Sequence, residues 1–282
     1  MRIELHCHST HSDGSLPPGE VATRAARTGV VLFCLTDHDT DGGWAATRDA
    51  LADASCTVLR GLELSTREFD RTVHLLVLGL QDGPGLVALH ERLERVHAER
   101  STRLRSICER LARLGIVLDQ EDILARSHGR TPGRPDVARA LVAGGHCSSL
   151  PDAFTRYLRD GGPADVPLER LSVGEGVALA RAAGARVALA HPHSLGAHAL
   201  VRELFVRHRA DGLDGIEACY GLQGPAESAQ WLPLARELDL VVTAGSDFHG
   251  DINPAVTQPG RDLHERHVEP LFGWLGLERP SA

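Results

Sequence analysis

The sequence predicts an α/β fold built from repeated strand–helix units, and three observations predict it. Short β-type runs recur along the chain and end abruptly at polar residues. Helical patterns lie between most of them, the alternation expected of βαβ units and a parallel sheet or barrel. A long central stretch has helical periodicity alone, which marks an all-α insertion into that barrel.

The strands follow in order. Arg2 to Leu5 runs into His6-Cys7-His8, and Val30 to Leu35 into Thr36-Asp37-His38-Asp39. Thr57 to Leu62 leads into Glu63, and Val73 to Leu80 holds His74 near its start. Later, Arg186 to Ala190 precedes His191-Pro192, Gly215 to Cys219 precedes Tyr220-Gly221, and Leu240 to Ala244 precedes Gly245-Ser246-Asp247-Phe248-His249. Helices are expected over Pro18 to Thr28, Val173 to Ala183, Ala197 to His208 and Pro225 to Leu238. The central stretch opens with a long helix over Leu86 to Leu114, its apolar stripe formed by Leu93, Val96, Leu104, Ile107, Leu111 and Leu114. The opposite face alternates Arg with Glu and reads as a solvated, ion-paired surface, a phosphate-facing arginine stripe being the alternative. Shorter helices follow at Asp136 to Ala143 and Pro151 to Arg159. The expected division is a barrel over residues 1–85 and 168–282 with a helical insertion over 86–167.

Composition narrows the function. The 282 residues are 42% apolar and 24% charged, ordinary for a globular protein. The formal charge is −8, which disfavours sequence-blind attraction to nucleic acid. The chain has no lysine, so all its positive charge is arginine, whose planar fork matches phosphate oxygens bidentately. That bias equally suits a GC-rich genome. Six scattered cysteines form no CxxC pair, no apolar run is long enough to span a membrane, and Arg2-Ile3-Glu4-Leu5-His6 leaves no room for a leader's apolar stretch. The expectation is a cytoplasmic protein with reduced cysteines, no membrane partner and no obligate protein partner.

The polar residues at the strand ends are His6, His8, Asp13, His38, Glu63, His74, His191, Asp247 and His249. Each type ligates a metal when deprotonated: imidazole suits zinc, manganese and iron, while a carboxylate adds charge and can bridge two ions. In βα barrels such residues gather at the C-terminal mouth of the strands. Each piece also has a bland reading. A lone His74 or His191 can be a satisfied core residue, His6-Cys7-His8 an exposed turn, and Asp37 or Asp39 a helix cap. Nine such positions together are hard to explain as caps and core filling.

These segments resemble the PHP (polymerase and histidinol phosphatase) family. The matching pieces are His6-Cys7-His8-Ser9 with His11-Ser12-Asp13-Gly14, Thr36-Asp37-His38-Asp39-Thr40, Gly61-Leu62-Glu63-Leu64-Ser65, Val73-His74-Leu75-Leu76, Ala190-His191-Pro192 and Gly245-Ser246-Asp247-Phe248-His249-Gly250, in the family's order. Gly133-Arg134-Pro135, Gly161-Gly162-Pro163-Ala164 and Gly212-Leu213-Asp214-Gly215-Ile216-Glu217 are similar to the branch of nucleoside 3′,5′-bisphosphate phosphatases and 5′-to-3′ exonucleases.

The resemblance implies a distorted seven-stranded βα barrel with a helical insertion over the site. It implies two or three divalent ions, manganese favoured with iron or zinc as alternatives. A trinuclear arrangement would place one ion on His6, His8, Glu63 and Asp247, a second on Glu63, His74 and His191, and a third on Asp13, His38 and His249. His38, His191 and Asp247 are the expected catalytic set, and Arg134 is expected to grip a non-reacting phosphate. The implied activity is hydrolysis of a phosphate monoester by a metal-bridging hydroxide, on a nucleotide such as a nucleoside 3′,5′-bisphosphate. Alternatives are 5′-to-3′ exonuclease action on short RNA or DNA, and a phosphatase of histidinol phosphate or another small phosphoester. A non-catalytic scaffold would have eroded ligands, and all nine are present; a C–N hydrolase using a carbamylated lysine is excluded by the absence of lysine. The chain departs from the branch at Asp136, where His is usual, and has His193 beside the expected mouth. Asp136 reads either as a change to the substrate pocket or as a helix cap. Glu217 reads as a support for a ligand or as a buried pair. His11 is expected beside the ligand loop, and His90, His97, His128, His146, His198, His208, His264 and His267 mostly at the surface.

Overall fold

A computed structural model describes residues 1–126, 132–159, 161–167, 171–221, 223–224 and 228–280. The chain divides into two compact units, residues 1–90 with 171–282, and residues 91–170.

The first unit is a nearly closed barrel. Its strands are β1 (Arg2–Glu4), β2 (Leu32–Leu35), β3 (Thr57–Glu68), β4 (Arg71–Leu78), β5 (Arg186–Leu189), β6 (Leu213–Tyr220), β7 (Val241–Gly245) and β8 (Arg261–Asp262). They lie in the order β7-β6-β5-β4-β3-β2-β1-β8. The two ends of the sheet meet where Leu5 N–H donates to Ala244 O at 3.2 Å, Asp247 N–H to His6 O at 2.7 Å and His8 N–H to Phe248 O at 2.9 Å. Seven strands were expected; the eighth is the two-residue β8, antiparallel to β1. The strands are apolar on both faces, as a sheet covered by helices requires: Ile3, Leu32, Phe33, Leu62, Leu64, Leu75 and Leu76 are fully buried.

Purely alternating strand–helix units fail at β3 and β4. These form an antiparallel hairpin, with Ser65 opposite His74, and β5 is antiparallel to β4. Phe69 and Asp70 turn the chain with φ of 51° and 57°, the double left-handed conformation that matches the strand twist. Phe-Asp lacks the glycine or asparagine that usually announces such a turn. The reversal explains His74: the start of β4 lies at the same mouth as the ends of β3 and β5, which run the opposite way. β3 also runs on through Glu63 to Glu68 instead of ending at Leu62.

The second unit is built on the helix Pro84–Arg113, which buries Leu104, Ile107 and Leu111 against Ile123, Val137, Leu141 and Leu158. Leu114 leaves the expected stripe: it follows the helix end and is 50% exposed. Two arginines of this helix pair with acidic residues on other segments, Arg105 with Glu121 at 3.1 Å and Arg103 with Asp165 at 3.6 Å, and Arg92 faces Glu99 of the same helix at 3.9 Å. A helix at Arg134–Ala143 follows, then Leu150–Ala153 continuing into a π-helical turn at Phe154–Leu158. Of the helix expected from Pro225, residues 225–227 lie outside the described residues, and Leu232–Glu237 is helical.

Candidate metal centre

All nine strand-end residues belong to the barrel unit, and their side chains converge at one mouth. Glu63, on β3, is the hub. Its Oε2 lies 3.3 Å from His6 Nε2, 3.2 Å from His8 Nε2 and 3.0 Å from His38 Nδ1. Its Oε1 lies 3.0 Å from both His74 Nδ1 and His191 Nε2. Asp247 Oδ1 is 3.3 Å from the same Nε2 atoms of His6 and His8. Asp13, more exposed, stands 3.3 Å from His249 Nε2 and 3.7 Å from His38 Nε2.

These atoms fall into four overlapping groups whose members all lie within 4.8 Å of one another. One joins His8, Asp13, His38 and His249; another His6, His8 and Asp247. Glu63 enters two more, with His6 and His191 and with His38 and His74. His8 thus joins the Asp13 group as well, while His74 Nδ1 and His191 Nε2 lie 3.3 Å apart and each 3.0 Å from Glu63 Oε1, the grouping of the second ligand set the resemblance implies.

The donor set fits a cation. His6 Nε2, His8 Nε2 and His38 Nδ1 are buried without a hydrogen-bond partner, whereas buried polar atoms are nearly always satisfied. Each faces carboxylate oxygen at 3.0–3.3 Å. The outer ring nitrogens are held elsewhere: His6 Nδ1 by Glu217 at 2.9 Å, His191 Nδ1 by Ser194 Oγ at 3.1 Å, and His249 Nδ1 by the Asp247 carbonyl at 2.9 Å. A proton on each of those nitrogens leaves an Nε2 lone pair facing inward, the arrangement metal-binding histidines use.

Electrostatics give the same picture. Burial opposes charge on Glu63, but His38, His6 and His74 hold its carboxyl well below the usual range. Burial also opposes a proton on His8, yet Asp247 and Glu63 push that imidazole up to about 10. For His38, burial together with its His8 and His74 neighbours outweighs Glu63 and lowers it to about 4. Carboxylates here demand positive charge; protons on imidazoles supply it until a divalent cation replaces them.

Four ordinary-looking residues hold the frame. Asp37 caps no helix: its carboxylate accepts from Ser9 N–H at 2.7 Å, Ser9 Oγ at 2.6 Å and Ser12 Oγ at 2.5 Å, tying down the loop between His8 and Asp13. Asp39 instead accepts from Ser65 N–H at 2.7 Å. Glu4, fully buried, accepts from His6 N–H at 3.0 Å and Ser246 N–H at 2.9 Å, and burial pushes its carboxyl up. Tyr220 donates to Asp247 Oδ2 at 2.7 Å. The sequence signal for Glu4 was a charged residue inside an apolar strand; Tyr220 gave none beyond its place at a strand end. Asp39, His191 and Asp247 have positive φ of 55°, 27° and 55°, strain that clusters at functional sites.

His193 is exposed at the same mouth, its ring 4.7 Å from Tyr220 and 6.1 Å from His191. His11 is exposed beside the ligand loop. His90 pairs with Asp41 at 2.9 Å, and His198 stacks on Trp231 at 4.1 Å. His208 is more enclosed than expected, its side chain 14% exposed beside Glu68. His128 lies outside the described residues. In the helical unit, Arg134 donates to Leu158 O at 2.9 Å. Asp136 accepts from Gly133 N–H at 2.8 Å and from Arg139 at 2.7 Å, which is the helix-cap reading of that residue.

A barrel whose mouth gathers six imidazoles and three carboxylates defines a metal-dependent hydrolase. The PHP domain pattern matches residues 4–126. The 3′,5′-nucleoside bisphosphate phosphatase of Chromobacterium violaceum is 31% identical, covering 98% of this chain and 96% of that protein. The 5′-3′ exoribonuclease of Haemophilus influenzae is 34% identical, covering 88% of this chain and 90% of its own. A solved structure from Bifidobacterium adolescentis, assigned as a metal-dependent phosphoesterase, superposes with a TM-score of 0.78 at 28% identity over 96% of this chain and 95% of that one. The chain belongs to the PHP family, and its chemistry is hydrolysis of phosphoric esters. Among the described residues no helix is long and apolar enough to cross a membrane.

Proposed function

We propose that the protein removes a phosphate monoester from a nucleotide, with a nucleoside 3′,5′-bisphosphate as the favoured substrate. The observation that supports this most is Glu63, a buried carboxylate within 3.0–3.3 Å of five imidazoles. Two or three divalent ions, manganese favoured over iron or zinc, would be held by His6, His8, Asp13, His38, Glu63, His74, His191, Asp247 and His249. Such ions supply Lewis-acid charge and a water acidic enough to act as nucleophile near neutral pH.

The chain's own residues do the rest. With two or more divalent ions the cations outweigh the three carboxylates, leaving a mouth attractive to a phosphate anion. His38, His191 and Asp247 border the reacting group. Arg134 takes a second, non-reacting phosphate through its guanidinium fork, which would distinguish a bisphosphate from a monophosphate. We place the protein in the cytoplasm, since all six of its cysteines are unpaired.

A second reading is 5′-to-3′ hydrolysis of short oligonucleotides, favoured by the 34% identity to an exoribonuclease; the formal charge of −8 argues against long nucleic acid. Histidinol phosphate or another small phosphoester is a third. The test is turnover by manganese-loaded protein of a nucleoside 3′,5′-bisphosphate, short 5′-phosphorylated RNA, histidinol phosphate and a generic aryl phosphate. Turnover of the bisphosphate above the others is expected. RNA turned over in preference to mononucleotides replaces the first reading with the second, histidinol phosphate turned over in preference to both replaces it with the third, and no turnover of any of them removes all three.

A further inference from the structure

β6 contributes none of the nine converging side chains, yet two of its residues reach three of them. Glu217, fully buried, accepts from His6 Nδ1 at 2.9 Å and from His191 N–H at 2.7 Å. Tyr220 donates to Asp247 Oδ2 at 2.7 Å. The two are three positions apart, and a regular strand would send them to opposite faces.

β6 is not regular. Toward β7, Glu217 pairs with Thr243 and Cys219 with the next residue, Ala244, so Ala218 has no opposite number. This is a β-bulge, which resets the alternation and re-aims side chains. Because of it, Glu217 and Tyr220 both face the barrel mouth. Room for Glu217 is made on β7 by Gly245, where a side-chain Cβ would stand 2.8 Å from Glu217 Oε1.

We propose that the bulge at Ala218 makes β6 an outer clamp of the metal centre, Glu217 fixing His6 and His191 and Tyr220 fixing Asp247. The inference rests on the reading that those three residues ligate. The hydrogen bond to Glu217 places the His6 proton on Nδ1 and leaves Nε2 to face Glu63 and Asp247, each at 3.3 Å. The second oxygen of Glu217 anchors the peptide of His191, whose φ is 27°. Tyr220 occupies one oxygen of Asp247, whose φ is 55°, and so turns the other toward His6 and His8. Outer partners of this kind orient ligands that would otherwise rotate freely, and losing one typically costs 10- to 100-fold in metal affinity.

The test is manganese titration by calorimetry of metal-stripped wild type, Y220F, E217Q and H6A, together with activity as a function of manganese concentration. Y220F removes only the donor to Asp247. E217Q keeps the side-chain volume but has a single acceptor oxygen for two N–H donors, so one donor meets an amide NH2. Each is expected to bind manganese at least ~10-fold more weakly and to regain turnover when manganese is raised, which loss of a purely structural contact would not allow. If H6A loses manganese while Y220F and E217Q bind it as the wild type does, the clamp is wrong and the ligand reading stands. If H6A also binds manganese as the wild type does, both are wrong.

Discussion

Gly245 and His6 are packed so closely that a side-chain Cβ on the glycine would lie 2.3 Å from Cβ of the histidine and 2.8 Å from its backbone nitrogen. This contact closes the barrel between β7 and β1 and sets the depth of His6 in the mouth. Neither partner is a flexible side-chain end, so relief requires the strands to part. Gly245→Ala is therefore expected to destabilise the protein by about 1–3 kcal/mol, the usual cost of overpacking, and to weaken manganese uptake with it. Denaturant unfolding and metal titration of the same variant would check both; wild-type stability would show that β1 and β7 can separate freely here.

The contrast between His6 and its supports shows what the sequence makes legible. His6, His8, His38, Asp247 and His249 stand out because ionisable side chains end runs of buried apolar residues, a pattern with few structural explanations. Glu217 and Tyr220 lie on a strand that is equally visible, but which way each points depends on one unpaired residue, Ala218. A bulge leaves no mark in composition or periodicity. The β3–β4 hairpin was hidden similarly, since Phe69-Asp70 reaches positive φ without glycine or asparagine. Asp37 was visible as a polar residue, but its three donors come from residues 9 and 12, a long-range partnership no local pattern encodes.

Glu63→Gln should separate charge from shape at the hub. The amide keeps the volume but removes the negative charge shared by five imidazoles, and its NH2 faces ring nitrogens on one side. A ligand common to several groups should cost at least the upper end of the range seen for outer partners, about 100-fold in metal affinity. Metal content after dialysis and turnover of an aryl phosphate are the measurements; retention of both would remove Glu63 from the centre.

The pH dependence of the metal-stripped protein follows from His8. Burial disfavours its proton, but Asp247 and Glu63 more than offset that, pushing the folded-state value up to about 10 from an ordinary 6.5. A value raised by folding stabilises fully below the unfolded value and is lost as pH rises through the folded one. The melting temperature of metal-stripped protein should therefore fall between pH 7 and about 10. Metal binding must displace that proton, so manganese affinity should rise across the same window, about tenfold per pH unit for each proton displaced. Melting curves with chelator and with manganese, from pH 6.5 upward, give both slopes; a flat curve with chelator would contradict the assignment.

Asp136 and Arg134 lead to opposite expectations for stability and for substrate binding. Its carboxylate accepts from Gly133 N–H and pairs with Arg139, and the residue is only 6% exposed. Those contacts occupy both oxygens in holding the first turn of the helix Arg134–Ala143. Removing them with Asp136→Ala should cost about 1 kcal/mol or somewhat more, as loss of a charge-assisted cap does. KM for a nucleoside 3′,5′-bisphosphate should hardly change, because the carboxylate is committed to the helix. Arg134→Ala should behave in the opposite way, raising KM for the bisphosphate roughly tenfold or more, the signature of lost binding to a non-reacting group, while leaving an aryl monophosphate nearly unaffected. Unfolding curves and steady-state kinetics on the two substrates distinguish the variants. If Asp136→Ala lowers KM for the bisphosphate, the carboxylate was repelling substrate phosphate, and its cap role is secondary.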